Sequence, residues 1–330
     1  MIRTMTNNHI VINVKNLIAY YMTANTPIRA VDNVTFYVNE KEIFGIVGES
    51  GCGKSTLAAT ILRLLKPPGR IIGGEVLFDG IDLLRLSETT LREIRWRKIS
   101  YIPQGSMNSL NPIMRVRDQI IDGIMAHLTT RERRELSKGK LKDRVKELLV
   151  SVGLAPEVAD MYPHELSGGM RQRVAIAMAI SLNPKLIIAD EPTTALDVVI
   201  QRGILQLLSD IKEKLGSSFI LITHDIAVQA EVSDRIGVMY AGKIVEVSPT
   251  RELFRDPLHP YSQALISAVP SLSESRVLKG LPGSPPDLRQ PPSGCRFHPR
   301  CPHAISGLCN RIEPPLLEVK DRLIACHLYR

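Results

Sequence analysis

Apolar residues in this chain gather in short unbroken runs set apart by glycine, proline and polar breaks. Ile43-Phe44-Gly45-Ile46-Val47 reads as a strand buried on both faces. Ser55 to Leu65, almost continuously apolar, reads as a buried helix entered through a glycine-rich turn. Pro184 and Lys185 lead into a second apolar strand that ends on Asp190, and Phe219 to Thr223 forms a third that delivers His224 at its carboxyl end. Buried strands interleaved with helices predict an α/β core. Residues 9–47 differ, with pieces such as Ala30-Val31 and Val34-Thr35-Phe36 between polar breaks, and predict an antiparallel lobe. Arg144 to Val150 has helical apolar spacing and is followed by Gly153 and Pro156, so residues 106–168 read as a helical subdomain. Arg235 to Glu246 reads as a hairpin turning at Ala241-Gly242. Beyond Thr250 prolines accumulate (Pro282, Pro285, Pro286, Pro291, Pro292), which predicts an extended or irregular appendage. No repeat of solenoid period is visible. No run of 18 apolar residues and no secretory signal occurs either, so any membrane link is expected to run through a partner.

The turn between the first strand and helix is Gly48-Glu49-Ser50-Gly51-Cys52-Gly53-Lys54-Ser55, which fits G-x-x-x-x-G-K-[ST]. Alone this pattern arises by chance in on the order of one in a hundred chains this long. Its conjunction with Leu166-Ser167-Gly168-Gly169-Met170 and then Leu186 to Glu191 predicts an ATP-driven machine on a P-loop NTPase core. Such a turn aims backbone N–H groups and a helix N-terminus at phosphate, from Ser50, Gly51, Cys52, Gly53 and on to Thr56. Lys54 is expected to reach the β- and γ-phosphates and Ser55 to ligate Mg²⁺. Asp190 is placed near the metal, Glu191 can polarise the attacking water, and His224 can hydrogen-bond the γ-phosphate. Cys52 reads as a small residue tolerated in the loop.

Composition narrows the alternatives. At 330 residues the chain can bury a sizeable core in more than one domain. The net charge of +8 could suit nucleic acid, but the basic residues are interspersed with acidic ones, as in Arg131-Glu132-Arg133-Arg134-Glu135, so a solvated helix face is expected and nucleic acid is not. A cassette ATPase acting on DNA stays open as the alternative. It is weakened by the 167 − 55 = 112 residues from Ser55 to Ser167, which leave no room for a long coiled coil. A non-hydrolytic regulatory cassette is opposed by Lys54, Asp190, Glu191 and His224.

Leu166 to Met170, continued by Arg171-Gln172-Arg173-Val174-Ala175-Ile176-Ala177-Met178-Ala179, resembles the ATP-binding cassette family. The resemblance implies that Ser167, Gly168 and Gly169 clamp the γ-phosphate of nucleotide held by a second cassette. Gln104 is implied as the residue that senses Mg²⁺ and the membrane partner, Asp197 as the D-loop residue and His224 as the switch histidine. Tyr21 is implied to stack on adenine, with Tyr20 its possible substitute. Met170 and Met178 depart from the commonest form. Asp256-Pro257-Leu258-His259-Pro260-Tyr261-Ser262-Gln263-Ala264-Leu265 and the cysteine-rich tail resemble the dipeptide/oligopeptide/nickel importer ATPases. That implies ATP-driven closure on a second ABC ATPase subunit, expected to be a different chain. It also implies two membrane permease subunits, an extracellular peptide-binding protein acting indirectly, and a peripheral place on the cytoplasmic face of the membrane. The expected division is a nucleotide-binding domain over 9–250, carrying the 106–168 signature subdomain, and a C-terminal extension over 251–330.

Cys295, Cys301, Cys309 and Cys326 all fall in that extension. In a reducing compartment clustered cysteines more often bind metal than form disulfides. Four thiolates suit zinc or a [4Fe-4S] cluster, and the C-x5-C-x7-C-x16-C spacing lacks the close pairs common at zinc, so iron–sulfur is favoured. Unligated thiols remain open, and His298, His303 or His327 could replace one cysteine. The expected extension is thus a small irregular metal-binding module, structural by default.

Overall fold

The computed structural model describes residues 9–129, 132–133, 138–268 and 283–329. Pro282, and Arg131, Arg134 and Glu135 of the mixed-charge run, lie outside the described residues. The chain divides into two compact units, Met1–Arg85 with Ile220–Arg330, and Leu86–Phe219.

In the first unit, β1 (Ile10–Tyr21) pairs antiparallel with β2 (Ile28–Asn39) and with β4 (Gly69–Phe78), and β5 (Ile81–Asp82) closes a sheet of order β2-β1-β4-β5. Val14, fully buried, stands opposite Phe36 on one side and Val76 on the other. The register slips beside Asn16, whose φ is +47° and whose N–H donates to Thr35 Oγ1 at 2.9 Å, so the bulge keeps its polar groups satisfied. The antiparallel lobe expected over 9–47 thus takes two strands from that span, adds two from 69–82 and leaves Ile43–Val47 to the other sheet.

The second sheet of this unit is built on β3 (Ile43–Val47), with all five residues buried and parallel to β9 (Arg235–Tyr240). β9 turns back into β10 (Lys243–Pro249) through Ala241 and Gly242, both at positive φ as a two-residue hairpin requires. Outside β10 lie β12 (Arg322–Ile324) and then β11 (Leu317–Val319). The C-terminal extension is therefore not wholly irregular. Its last hairpin, turning at Lys320-Asp321 with φ of +50° and +61°, adds two strands to the sheet. On the other side of β3, Thr223 N–H, just past β8 (Ser218–Ile222), donates to Ile46 O at 3.2 Å. Tyr240, Tyr261 and Phe297 pack into the core formed with Val47, Ile236 and Val238. The helix after β3 runs Lys54–Ile61 and stops short of Leu65. Arg63 at φ +51° turns the chain, and Pro67 and Pro68 cannot continue a helix.

In the second unit, β6 (Ile99–Ile102) runs parallel to β7 (Leu186–Asp190). Around them lie helices Val116–His127, Lys138–Ser151, Gly168–Ile180 and Val198–Leu215. Trp96 bridges the first and third of these helices. Its Nε1–H donates to Met178 O at 2.8 Å, and its ring fills the space that a side chain at Gly123 would need.

Candidate functional site

The site residues fall in both units, and each group is built by its own strand ends. In the first unit the chain leaves β3 at Val47 and turns into the helix Lys54–Ile61 through the glycine loop. Gly53 has φ +109°, and a Cβ there would overlap the Ala30 carbonyl oxygen, so no other residue fits. Lys54, 6 % exposed, lays its ammonium inside the loop and donates to Gly48 O at 2.7 Å and Glu49 O at 3.1 Å. Cys52 lies against it, with Sγ 3.8 Å from Nζ. Burial pushes the Cys52 thiol up, so it stays protonated and serves as a packed small residue. Ser50 and Gly51 form the outer bend of the loop, Gly51 at φ +79°, and Ser55 and Thr56 open the helix. His224 follows β8, exposed, beside Asp225, whose carboxylate accepts from Ala227 N–H at 2.8 Å and caps the next helix.

The two tyrosines at the end of β1 point to opposite faces, as strand alternation dictates. Tyr21 OH lies 3.3 Å from Thr56 Oγ1, over the start of the loop helix. Tyr20 OH donates to Asp32 at 2.8 Å, and burial with that carboxylate pushes the phenol up to about 12. Tyr20 thus has its hydroxyl engaged by Asp32, whereas Tyr21 reaches the start of the loop helix.

In the second unit, Asp190 ends β7 and is 1 % exposed, and its Oδ2 accepts from Tyr101 OH at 3.3 Å. Burial first, and then the Asp190 charge, pushes the Tyr101 phenol up, so it remains a donor. Glu191 sits at φ +49°, a conformation that costs a non-glycine residue about 1–2 kcal/mol. Its Oε2 accepts from Gln104 Nε2 at 3.0 Å and Thr194 Oγ1 at 2.9 Å, which aim the carboxylate. Ser167 caps the helix Gly168–Ile180, its Oγ accepting from Met170 N–H at 3.3 Å. At Gly169 a Cβ would stand 2.7 Å from Ile200 Cγ2, whereas at Gly168 the nearest atoms, Met107 Sδ and Leu196 Cδ2, lie at 3.6 and 3.7 Å. Asp197 caps Val198–Leu215 through Ile200 N–H at 2.9 Å. Ser106 Oγ donates to Gln172 Oε1 at 2.8 Å, tying the segment after Gln104 to the signature helix. Sequence reasoning misses Tyr101, Thr194 and Ser106, because nothing in their local pattern marks them.

Cys295, Cys301, Cys309 and Cys326 line one small cavity together with His259, His298, His303 and His327. Cys295 is pushed up to about 11 by burial and by the other three cysteines. Burial likewise raises Cys301 and Cys326, so these thiols are protonated at neutral pH. Among the described residues no group of three or more His, Cys, Asp or Glu side chains is arranged to hold a metal ion. The expected zinc or iron–sulfur site is therefore not shown as a formed metal site, and the four cysteines that would hold it line one pocket.

A phosphate loop, a carboxylate pair closing a buried strand and a serine-capped glycine helix define a P-loop ATPase of the cassette type. The family described as ABC transporter matches residues 31–194, and the family described as the C-terminal region of oligopeptide/dipeptide transporters matches 245–309. A dipeptide transport ATP-binding protein of Caldanaerobacter subterraneus subsp. tengcongensis is 43 % identical over 97 % of this chain and 97 % of its own. An oligopeptide transport ATP-binding protein of Escherichia coli is 44 % identical over 96 % and 92 %. Among solved structures, a dimeric ATP-binding cassette in a post-hydrolysis state with ADP and Pi superposes with TM-score 0.64 at 33 % identity, over 73 % of this chain and 99 % of that one. The chain belongs to the dipeptide/oligopeptide transport ATP-binding proteins of the ABC transporter family. It has the ABC cassette fold and is an ABC-type ATPase. The DNA-directed alternative has no support among these relatives, which are transport proteins.

Proposed function

We propose that this chain hydrolyses ATP to drive import of dipeptides or oligopeptides through membrane permease subunits. What carries the reading is the aimed Glu191 carboxylate, held by Gln104 and Thr194 at a strained position beside Asp190. The relatives' names supply the peptide class. Lys54 and the loop N–H groups of residues 50–56 neutralise and orient the phosphates, and Tyr21 stacks on adenine. Ser55, Asp190 and Gln104 would hold Mg²⁺, which would supply charge neutralisation at the γ-phosphate. Glu191 orients and polarises water, with His224 on the γ-phosphate. Ser167, Gly168 and Gly169 meet the nucleotide of a second cassette.

A differing second cassette is supported by the departures at Met170 and Met178, and Val198 and Val199, 73 % and 79 % exposed directly after Asp197, offer apolar surface to a second cassette of either kind. Among the described residues no helix is long and apolar enough to cross a membrane, which suits a subunit held peripherally at the cytoplasmic face by permeases. The domain reading keeps 9–250 as the nucleotide-binding domain with its 106–168 signature subdomain, and 251–330 as the extension. The cysteine pocket is read as a structural [4Fe-4S] site. Four thiols converge on it, and His327, buried with Nε2 on Ile312 O at 2.8 Å, has no hydrogen-bond partner for Nδ1. Ligands of a multi-atom cluster stand farther apart than those of one ion. When bound, the cluster would staple a segment with few core residues of its own.

Glu191→Gln tests the mechanism. Hydrolysis falls by at least about a hundredfold while ATP binding persists; rapid turnover by the variant refutes the assigned role. Iron and sulfide analysis of anaerobically purified protein tests the cluster, and zinc alone or no metal refutes it.

A further inference from the structure

One residue of the phosphate loop is held from outside the loop. Glu49, the first residue after Gly48, has both carboxylate oxygens gripped by Arg300, whose NH1 and NH2 donate at 2.7 and 2.9 Å. The two side chains are only 21 % and 6 % exposed. Glu49 N–H donates to Tyr261 OH at 2.9 Å. The side chain and the main chain of Glu49 are therefore both fixed by the C-terminal part of the chain, more than 200 residues away in sequence.

The grip is itself braced. Arg300 also donates to Tyr240 OH at 3.3 Å and lies 5.8 Å from the centre of that ring. Phe297, at the same tight turn, packs edge-on to Tyr240 at 5.2 Å and against Tyr261 at 5.4 Å. Arg296 reaches the Ala241 carbonyl and Asp32. The turn that carries Arg300 lies between Cys295 and Cys301, so the cysteine pocket and the phosphate loop share one support.

We propose that Arg300 is a positioning residue for ATP binding, through which the cysteine-rich extension sets the phosphate loop's affinity for nucleotide. Two physical effects act in the same direction. A loop already fixed loses less freedom when phosphate binds. The guanidinium also cancels the Glu49 carboxylate, which would otherwise repel an anionic phosphate bound at the adjacent N–H groups. The proposal rests on Gly48–Ser55 being the phosphate loop, which a Lys54→Ala control tests separately; undiminished ATP binding in that control overturns both.

The test uses the full chain, with equilibrium binding of a fluorescent ATP analogue beside steady-state kinetics. Arg300→Ala is expected to raise Kd and KM about tenfold while kcat stays within about twofold, the signature of lost binding that is uniform between ground and transition states. Arg300→Lys keeps the charge without the two-pronged grip and falls between, which covers poor folding of the alanine variant. Adding Glu49→Gln to Arg300→Ala removes the uncompensated charge and is expected to recover the share of affinity lost to repulsion, leaving the share lost with the grip. A merely structural Arg300 would lower Tm without this recovery. Unchanged Kd in Arg300→Ala, or an equal loss of affinity with and without the Glu49→Gln change, overturns the proposal.

Discussion

Two adjacent signature glycines answer to different constraints, which makes them separable by mutation. A methyl group at Gly169 would stand 2.7 Å from Ile200 Cγ2. Ile200 cannot swing aside. It lies in the first turn of a helix capped by Asp197, where a β-branched side chain has one strongly preferred rotamer. Gly169→Ala is thus an overpacking change worth about 1–3 kcal/mol, offset by up to about 1 kcal/mol of gained helix propensity. A net loss of about 1–2 kcal/mol lowers Tm by roughly 2–8 °C for a unit of this size. At Gly168 the nearest atoms lie at 3.6 and 3.7 Å, ordinary contact distance, so Gly168→Ala leaves Tm unchanged or slightly higher. On the proposed contact of Gly168 with the nucleotide of a second cassette, it nonetheless lowers ATPase activity at least about tenfold, because the added methyl would stand between the γ-phosphate and the capped helix start. The assay is thermal unfolding with steady-state hydrolysis on both variants, and again on Gly169→Ala in an Ile200→Ala background, where the penalty should vanish. Equal destabilisation by the two substitutions, or a penalty that survives the loss of Ile200, would refute the packing argument.

Other outcomes follow from the same geometry. Lys54→Ala removes the cation inside the loop and should weaken ATP binding itself by about a hundredfold, read by equilibrium binding. Tyr21→Ala should raise the Kd for ATP by about fivefold through lost stacking, whereas Tyr20→Phe should leave Kd unchanged and lower Tm by the loss of one hydrogen bond to Asp32. Trp96→Phe removes the bond to Met178 O and should cost about 1 kcal/mol by denaturant titration, with nucleotide affinity intact.

The local chemistry is readable because it is local. A phosphate loop needs its glycines and lysine within eight consecutive residues, and a strand buried on both faces leaves an unbroken apolar run, so Ile43–Val47 and Leu186–Asp190 stand out from residue order alone. Ala241-Gly242 announces its hairpin for the same reason, whereas Lys320-Asp321 makes the same kind of turn without a glycine, and two strands of three residues each give no periodicity to detect. The helix after the loop reads longer than it is, since Leu64 and Leu65 continue its apolar pattern while Arg63 has already turned the backbone.

What stays hidden is the support of each reacting group. Tyr101 behind Asp190, Thr194 beside Glu191, Ile200 against Gly169 and Arg300 on Glu49 are each ordinary residues in their own segments, and each matters through a partner that folding brings close. The Cys295–Cys326 group shows the boundary between the two kinds of information. Sequence clustering puts four thiols in one short segment and folding gathers them around one cavity, but residue type and spacing do not decide what the cavity holds. Glu191 is the sharpest instance. Its identity is legible from its place after Asp190, yet its left-handed backbone is not, and the two donors that fix where the carboxylate points, Gln104 and Thr194, stand 87 and 3 residues away. A motif names the group that reacts, and the long-range packing decides whether that group is aimed.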